Sequence, residues 1–435
     1  DNRLTIDDMS QGFKNWKETT STSPSGRHLG HYKATLAYPH LEETEDENRN
    51  AIIPPSIRIM GAVTKLADMA IRHGLVLDRW CNVTNVMIEK IPGKPMYNKL
   101  RVIHLFEADF NLALGILWGQ RLMRQAKRLN ILGEQQFGSR KGRCAEDVAL
   151  LKMITCELIN ITKTDGGTFN NDAKACYDRI IINLMSMCTQ QLGMPPESAK
   201  LQATVLLLAK YQLKTSLGLS EEFYCNTVDK PLYGPGQGGK PSSFAWAIIS
   251  AIILAIMKRR QGIQFHDPQW TVKVKRVMDA FVDDTTAWVN TFLQNITNTE
   301  QEYITEILHE LQSTAQEWEE LLNATGGALE LSKCFYYLIH WRFDKNGTAK
   351  LAPTSDLPPI TIKSSSDGAL INIKQLQCSE PYKTVGVKIS PDCNMQWELQ
   401  RLKAKAREFG RQTNAAMLTR SQAVKVYQSI YLGRM

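Results

Sequence analysis

The sequence predicts an α+β protein built from several subdomains, and three observations carry this prediction. Segments with the apolar spacing of helices alternate with short runs typical of strands, which favours a mixed architecture. The chain has 435 residues, whereas a single hydrophobic core stops growing at about 250–300 residues. Hydrophobic residues make up 43% of the chain and charged residues 22%, which is typical of a folded protein and excludes global disorder.

Residues 1–50 are predicted to form a loosely packed N-terminal extension. Glycine, serine and threonine are frequent over residues 19–30, and an acidic run follows over residues 41–47. Both compositions are typical of segments that bury little apolar surface. The chain begins at Asp1 and ends inside an apparent helix, so we expect it to be part of a longer protein.

Eight segments are predicted as helices from the spacing of their apolar residues. Residues 242–257 are apolar almost throughout, which is typical of a buried helix. The apolar run over 244–257 has 14 residues, fewer than the roughly 20 that span a membrane, so no membrane segment is expected. The predicted helices cover residues 57–73, 110–129, 146–161, 177–192, 195–213, 242–257, 300–322 and 396–411.

Short runs between these helices are predicted as strands. Residues 272–280 and 281–290 form a predicted hairpin whose tip carries two aspartates, and residues 229–239 form a turn-rich loop before the apolar helix. The predicted strands cover residues 83–91, 167–172, 272–280, 281–290, 335–343, 360–363 and 369–373.

The net charge indicates which kind of partner the protein binds, and the cysteine spacing indicates its cellular compartment. The 52 Lys and Arg residues exceed the 44 Asp and Glu residues, which gives a net charge of +8 and suggests a polyanionic partner. The nine cysteines are scattered without CxxC spacing, so neither a zinc knuckle nor a disulfide framework is indicated. We therefore expect an intracellular protein, nuclear or cytoplasmic and not secreted.

Three separated motifs carry the predicted chemistry. Asp172 ends a strand and precedes Tyr177, residues 234–243 form a glycine-rich turn, and Asp283 and Asp284 stand at a hairpin tip. Adjacent carboxylates repel each other, so a cation should offset their charge, and Asp172 and Asp283 could jointly ligate two Mg²⁺ ions. Taken singly, the motifs are also typical of a helix N-cap, a plain turn and a solvated acidic turn.

The order and spacing of these motifs resemble the palm of reverse transcriptases, most closely those of non-LTR retrotransposons and group II introns. Asp172, Tyr177 and Asp178 resemble the family's first palm motif, and Phe281, Asp283 and Asp284 resemble its aromatic-x-Asp-Asp motif. Residues 234–243 resemble its Gly-x-x-Gln-Gly motif. Further resemblances to the fingers, template, lysine and primer-grip motifs lie at residues 88–103, 135–147, 327–333 and 382–387. The resemblance covers roughly residues 80–410.

The resemblance implies a role for each matching residue in the chemical step. Asp172 and Asp283 would hold two Mg²⁺ ions, for which Mn²⁺ could substitute, and Asp284 would support them as a third metal-site carboxylate. Lys333 would protonate the leaving pyrophosphate, with a structural salt bridge as its alternative. Tyr177 would lie under the incoming sugar and exclude a 2′-hydroxyl, with an ordinary core aromatic as its alternative.

The resemblance also implies binding residues outside the chemical step. Lys90 and Arg101 would neutralise the triphosphate, with Lys94 or Lys99 as rivals, and a solvated charged face is the alternative for all of them. The remaining implied contacts are Gln237 and Gly238 to the nucleotide and Arg140, Lys141, Arg143 and Gly386 to nucleic acid. The partners implied are an RNA template, a DNA or RNA primer and dNTPs, and the oligomeric state is left open.

The architecture implied by the resemblance is a right-hand polymerase whose palm holds a small antiparallel sheet. Four departures from the family pattern leave every carboxylate in place: Phe281 for Tyr, Cys176 for Ala, Val102 for Pro, and Gly239-Lys240 for Ser-Pro. The predicted divisions are an N-terminal extension over residues 1–80, fingers over 81–165, a palm over 166–343, a palm hairpin and primer grip over 344–392, and the start of a thumb over 393–435.

Three functions can be compared with these residues. An RNA-directed DNA polymerase of a retroelement accounts for the three acids and for Tyr177 together. An RNA-dependent RNA polymerase predicts a small or polar residue at the sugar gate, which Tyr177 contradicts. A domesticated RNA-binding protein without catalysis predicts the loss of a ligand carboxylate, yet all three acids are present.

Overall fold

The computed structural model describes residues 2–17, 19, 23–37, 55–94, 96, 99–291, 299–354 and 356–432, and the predicted acidic run over 41–47 lies outside them. These residues form an α+β architecture of helices and small sheets, which confirms the predicted class. Within the described ranges, no helix is both long and apolar enough to cross a membrane.

The helices are α1 (Ile6–Asn15), α2 (Leu29–Ala37), α3 (Pro55–His73), α4 (Ala108–Leu114), α5 (Met123–Arg128), α6 (Ala145–Thr162), α7 (Cys176–Arg179), α8 (Ile182–Gln191), α9 (Pro196–Leu208), α10 (Ser242–Met257), α11 (Glu300–Ala324), α12 (Gln396–Ala415) and α13 (Arg420–Val426).

The strands are short and belong to two larger sheets and several hairpins. They are β1 (Asn82–Glu89), β2 (Leu100–Leu105), β3 (Gly166–Asp172), β4 (Lys210–Thr215), β5 (Gly218–Cys225), β6 (Ile263–His266), β7 (Lys273–Arg276), β8 (Met278–Phe281), β9 (Asp284–Val289), β10 (Phe335–Ile339), β11 (Trp341–Phe343), β12 (Ala349–Leu351), β13 (Thr361–Lys363), β14 (Leu370–Asn372), β15 (Lys374–Leu376), β16 (Tyr382–Thr384) and β17 (Val387–Ile389).

The chain divides into two compact units, each assembled from three stretches of sequence. This division does not test the five predicted divisions of the chain, which remain predictions. Unit one comprises Asp1–Ser139, Ala173–Met257 and Trp318–Leu329, and unit two comprises Arg140–Asp172, Lys258–Glu317 and Glu330–Met435.

Unit one contains a four-stranded sheet in the order β2-β1-β4-β5. Strand β1 pairs with β2 in the antiparallel sense and with β4 in the parallel sense. The sequence predicts one helix over residues 195–213, but α9 ends at Leu208 and β4 begins at Lys210. This part of the prediction is wrong because pairing with the distant strand β1 overrides the local apolar spacing.

The N-terminal residues of unit one are packed where the structure describes them, contrary to the prediction of a loose extension. Thr5 and Asp8 cap α1 reciprocally, which satisfies backbone donors at its start. Met9 and Phe13 are fully buried, and the Phe13 ring stacks on Tyr32 with centroids 4.2 Å apart. These two apolar residues, one helical turn apart, form the buried side of this helix.

Two further predicted helices of unit one are interrupted. The helix predicted over 110–129 begins at Ala108 and contains a π-helical segment, Gly115–Leu122, between α4 and α5. The helix predicted over 177–192 is split into α7 and α8, because Ile180 is extended and its carbonyl accepts a hydrogen bond from Gly234 N at 2.8 Å.

Unit two contains a five-stranded sheet in the order β15-β10-β3-β9-β8. Neighbours are antiparallel except for β10 and β15, which are parallel. The predicted strand 272–280 is divided into β7 and β8, and β7 pairs with β6 instead of β9. The predicted strand 335–343 is likewise divided at His340 into β10 and β11, whereas the predicted hairpin of β13 and β14 is confirmed.

His340 lies between two carboxylates of unit two and should make stability depend on pH. Its Nδ1 lies 3.3 Å from Asp165 Oδ1 and its Nε2 lies 2.8 Å from Glu300 Oε1. The carboxylate of Asp165, and then that of Glu300, raises the pKa of this ring above its ordinary value of 6.5, although burial opposes the shift. Because the folded state favours the protonated ring, its stabilisation is complete below the unfolded-state pKa and is lost as pH rises through the higher folded-state pKa.

We therefore expect the Tm to fall as the pH rises from 6.5 through the raised pKa of His340. The measurement is thermal unfolding across this interval for the wild type and for His340→Gln, which should show a flatter dependence. Parallel curves for the two proteins would contradict the prediction.

Candidate active site

Asp172 and the two aspartates of the predicted hairpin meet at one end of the sheet in unit two. Asp172 is the last residue of β3 and stands opposite Asp284, the first residue of β9. Asp283 lies in the turn between β8 and β9, beside Val282, whose φ of 59° is left-handed. The Thr286 hydroxyl donates to Asn170 Oδ1 at 2.7 Å, so side-chain hydrogen bonds as well as backbone pairing fix the two strands.

Asp172 is paired with Lys333, the lysine for which the sequence left open a general-acid role or a structural salt bridge. The ammonium of Lys333 forms an ion pair and a hydrogen bond with Asp172 Oδ2, which raises the pKa of the lysine. The backbone holds this geometry because Glu330 N donates to the carbonyl oxygen of Asp172 at 2.9 Å. Lys333 is 64% exposed in its side chain and can therefore reach solvent or a bound anion.

Burial raises the pKa of the Asp283 carboxyl, and the charges of Asp172 and Asp284 raise it further. Ionising all three acids therefore concentrates negative charge that one nearby lysine only partly offsets. Carboxylate oxygens are the ligands that Mg²⁺ prefers, so the donor set is chemically suited to this ion. Among the residues that the structure describes, however, no three His, Cys, Asp or Glu side chains are grouped as a ready-made metal site.

Asp284 is held from behind by residues that the sequence did not single out. Its Oδ1 lies 3.4 Å from Lys152 Nζ, and its Oδ2 accepts hydrogen bonds from Thr384 Oγ1 at 3.1 Å and from Val385 N at 3.3 Å. Lys152 Nζ also donates to Thr384 Oγ1 at 2.7 Å. Both carboxylate oxygens of Asp284 are therefore engaged, which leaves Asp172 and Asp283 better suited to hold a cation.

Lys152 is the functional residue that sequence reasoning missed, although a signal for it exists. It lies on α6 between Ala149 and Cys156 on the buried stripe of the helix, and only 1% of its side chain is exposed. A lysine on an apolar stripe is rarely buried without a partner. Its position on the stripe thus indicates a nearby carboxylate, which the structure identifies as the partly exposed Asp284.

An open pocket of about 220 Å³ is lined by two of the three acids, Asp172 and Asp284. Its walls come from β3, β9, β10 and β16 together with Lys333. Tyr382 is packed edge-on against Phe335, with ring centroids 4.9 Å apart. The lining residues are Asn170, Asn171, Asp172, Asp284, Lys333, Phe335, Tyr382 and Lys383.

The predicted nucleic-acid residues of unit two lie in turns. Arg140, Lys141 and Arg143 precede α6 and form a turn closed by a hydrogen bond from Arg143 N to Arg140 O at 3.2 Å. Gly386 forms the turn between β16 and β17 with φ 97°. This hairpin also carries Thr384, which contacts Asp284, so the predicted primer-grip hairpin is connected to the acidic tip by hydrogen bonds.

The predicted nucleotide residues belong to unit one, where the glycine-rich loop packs tightly. A Cβ at Gly234 would overlap the carbonyl oxygen of Tyr177, and a Cβ at Gly236 would overlap the His104 ring. The backbone of Gln237 accepts a hydrogen bond from His104 N at 2.6 Å. Absent side chains thus allow this loop, which includes Gly238, to approach β2 and α7 closely.

Asp178 interacts with both the glycine-rich loop and Lys90 in unit one. Burial raises the pKa of its carboxyl, while a hydrogen bond with the Gln237 backbone and the charge of Lys90 oppose the shift. Lys90 follows the last residue of β1 and Arg101 lies on β2 opposite Ile88; both are exposed, and so is the rival Lys94. Lys99, the other rival, accepts a hydrogen bond at its carbonyl from Lys90 N at 3.0 Å.

Comparison with known proteins gives only distant similarities. No protein-family model and no curated protein matches the sequence. The structure is similar to apo telomerase from Candida tropicalis truncated from the C-terminal domain, with a TM-score of 0.42, 12% identity and coverage of 83% of this chain and 64% of that one. It is also similar to telomerase from Candida albicans in complex with a TWJ fragment of telomeric RNA, with a TM-score of 0.40, 13% identity and coverage of 72% and 45%. The chain thus spans less than two thirds of the length of either, and similarity at this level supports no conclusion about its function.

Proposed function

We propose that this chain is the catalytic core of an RNA-directed DNA polymerase with a right-hand architecture. The observation that carries the proposal is the placement of Asp172 opposite Asp284, with Asp283 at the adjoining tip and Lys333 paired to Asp172. Phosphoryl transfer requires mainly positioning and charge neutralisation, which carboxylates and an ammonium around one pocket can supply. Retroelement origin and a nuclear or cytoplasmic location belong to the same proposal.

In the proposed reaction, the 3′-hydroxyl of a primer attacks the α-phosphate of a dNTP on an RNA template. A bond forms between the 3′-oxygen and this phosphorus, the hydroxyl proton leaves to water, and the bond between the phosphorus and the pyrophosphate oxygen breaks. Two Mg²⁺ ions, when bound, would neutralise charge on the attacking and leaving oxygens. Asp172 and Asp283 would hold these ions, and Lys333, which pairs with Asp172, would donate a proton to the leaving pyrophosphate. Asp284 anchors the tip through its contacts with Lys152 and Thr384.

The proposal is tested by extension of a DNA primer on an RNA template with Mg²⁺, comparing dNTPs with rNTPs. Extension with dNTPs alone would support it. Extension with rNTPs would instead indicate an RNA polymerase, and RNA binding without extension would indicate a binding protein.

Replacing Tyr177 with Ala should weaken the discrimination against rNTPs. The residue is half-buried on α7, next to the glycine-rich loop at Gly234, and its loss would open space at the proposed sugar site. We expect the ratio of kcat/KM for dNTPs over rNTPs to fall at least about tenfold. Phe223→Ala, which removes an exposed aromatic of the same unit, is the control. An unchanged ratio would mean that Tyr177 is an ordinary packed aromatic.

A further inference from the structure

A hairpin of unit two that contributes nothing to the acidic pocket presents an exposed tryptophan. Strands β6 and β7 pair with His266 opposite Lys273 and Gln264 opposite Lys275. Because side chains alternate across a sheet, these four residues share one face of the hairpin. The other face is anchored, since Ile263 and Phe265 are buried in the core around Trp288. The polar face is therefore held outward on a fixed base.

The tip of this hairpin is ordered around Asp267. Its Oδ1 accepts from Val272 N at 2.7 Å and its Oδ2 accepts from Thr271 Oγ1 at 2.6 Å, so both carboxylate oxygens are engaged within the tip. Trp270 N donates to the Asp267 carbonyl at 3.0 Å. The Trp270 ring packs against His266, with ring centroids 3.7 Å apart and the planes at 76°, yet 76% of the residue remains exposed. An indole that is positioned but left in solvent contributes little to folding.

The surroundings of Trp270 carry an excess of positive charge. Lys273 and Lys275 are exposed on the polar face, and Lys275 Nζ reaches the carbonyl of Lys258 at 3.5 Å, which brings Lys258 and Arg259 beside the hairpin. Within the described part of the chain, none of these four side chains forms an ion pair. The neighbouring carboxylates are engaged elsewhere: Asp279 pairs with Arg276, and Glu310 and Glu317 pair with Arg260.

We propose that this hairpin, β6–β7 with Trp270 at its tip, is a docking surface for single-stranded nucleic acid. Unpaired cations attract the phosphate backbone, and an exposed indole offers a face on which an unpaired base can stack. The bases of a duplex are stacked on one another and cannot stack on the indole, so a duplex would bind only through the attraction between its phosphates and the cations. The proposal goes beyond the proposed polymerase function and does not depend on it, because binding is measured without nucleotides.

The test measures fluorescence anisotropy of a labelled oligouridine of about 15 nucleotides over a range of salt concentrations. Trp270→Ala should weaken binding about tenfold without changing the salt dependence, and Trp270→Phe should retain most of the affinity. Replacing Lys273 and Lys275 with Gln should make the negative slope of log K against log salt shallower by about 1.4. Wild-type affinity for the Trp270→Ala variant, or equal competition by duplex RNA, would overturn the proposal.

The hairpin β11–β12 provides a matched control, since it also carries an exposed aromatic, Phe343, and an exposed lysine, Lys350. Here, however, the neighbouring Arg342 is paired with Glu300. Phe343→Ala and Lys350→Gln should bind as the wild type does. Photocrosslinking with 5-iodouridine gives a second measurement, and we expect the crosslinked peptide to contain Trp270. A crosslink confined to other peptides would refute the proposal even if the affinities changed.

Discussion

Replacing Asp283 with Asn is expected to reduce primer extension by at least about a thousandfold while leaving the fold intact. A factor of that size corresponds to about 4 kcal/mol in the activation barrier, which is reasonable for the loss of a carboxylate that holds the proposed cation site. Asn keeps the shape of the side chain and removes its charge. Steady-state extension with saturating dNTPs measures the effect, and Asp367→Asn, in an exposed turn, is the control.

The same substitution should show whether Asp283 is needed for activity or for the stability of the fold. Burial and the charges of Asp172 and Asp284 disfavour the ionised form of Asp283, so a neutral side chain relieves repulsion in the folded state. The Tm of Asp283→Asn without Mg²⁺ should therefore equal or exceed that of the wild type. Because a ligand that binds only the folded state stabilises it, adding Mg²⁺ should raise the Tm of the wild type and not that of the variant. A large loss of Tm without Mg²⁺ would mean that Asp283 has a structural role instead.

The sequence predicted the elements that are specified by local apolar spacing. It did not predict the elements whose conformation depends on pairing with residues far away in the chain. Apolar spacing identified α3, α6, α10, α11 and α12 within a few residues of their observed bounds. It could not predict that Lys210–Thr215 is a strand, because that segment is ordered by parallel pairing with β1, more than a hundred residues earlier in the chain. Likewise, the break at Ile180 depends on a hydrogen bond from Gly234, which no local pattern encodes.

The candidate site was likewise predicted from the sequence only in part. The order of its motifs predicted that Asp172, Asp283, Asp284 and Lys333 lie together, and in the structure Lys333 pairs with Asp172 while Asp172 stands opposite Asp284. The partners of Asp284 were not predicted, because Lys152 precedes it by 132 residues and Thr384 follows it by 100. A buried lysine on an apolar helical stripe could have indicated that a carboxylate was near, although not which one.

Replacing Lys152 with Met should both destabilise unit two and slow the reaction. Met fills a similar volume, but it leaves Asp284 without its cation and Thr384 without the 2.7 Å hydrogen bond from Lys152. Removing one partner of a fully buried ion pair costs about 3–5 kcal/mol. The Asp284 side chain is 35% exposed and water can partly replace the lysine, so we expect a loss of about 1–3 kcal/mol in the free energy of unfolding.

The kinetic effect of Lys152→Met should appear in kcat and in the KM for the primer, because the lysine acts through other residues. It holds Asp284 at the acidic tip and, through Thr384, the β16–β17 hairpin that the resemblance assigns to the primer. A residue that positions both should raise the KM for the primer and lower kcat, whereas the KM for dNTPs should change little. Lys200→Met, at an exposed position on α9, is the control and should affect neither parameter.

A double-mutant cycle with Asp284→Asn distinguishes this positioning role from a general loss of packing. If Lys152 acts through Asp284, the neutral pair should be less destabilised than the sum of the two single variants, with a coupling free energy of about 1 kcal/mol or more. Removing the charge of Asp284 also removes the reason for burying a cation, so the second substitution should restore part of the lost stability. Strict additivity of the two substitutions in unfolding free energy and in kcat would show that Lys152 does not act through Asp284, and its effect on the primer hairpin would then depend on its hydrogen bond to Thr384.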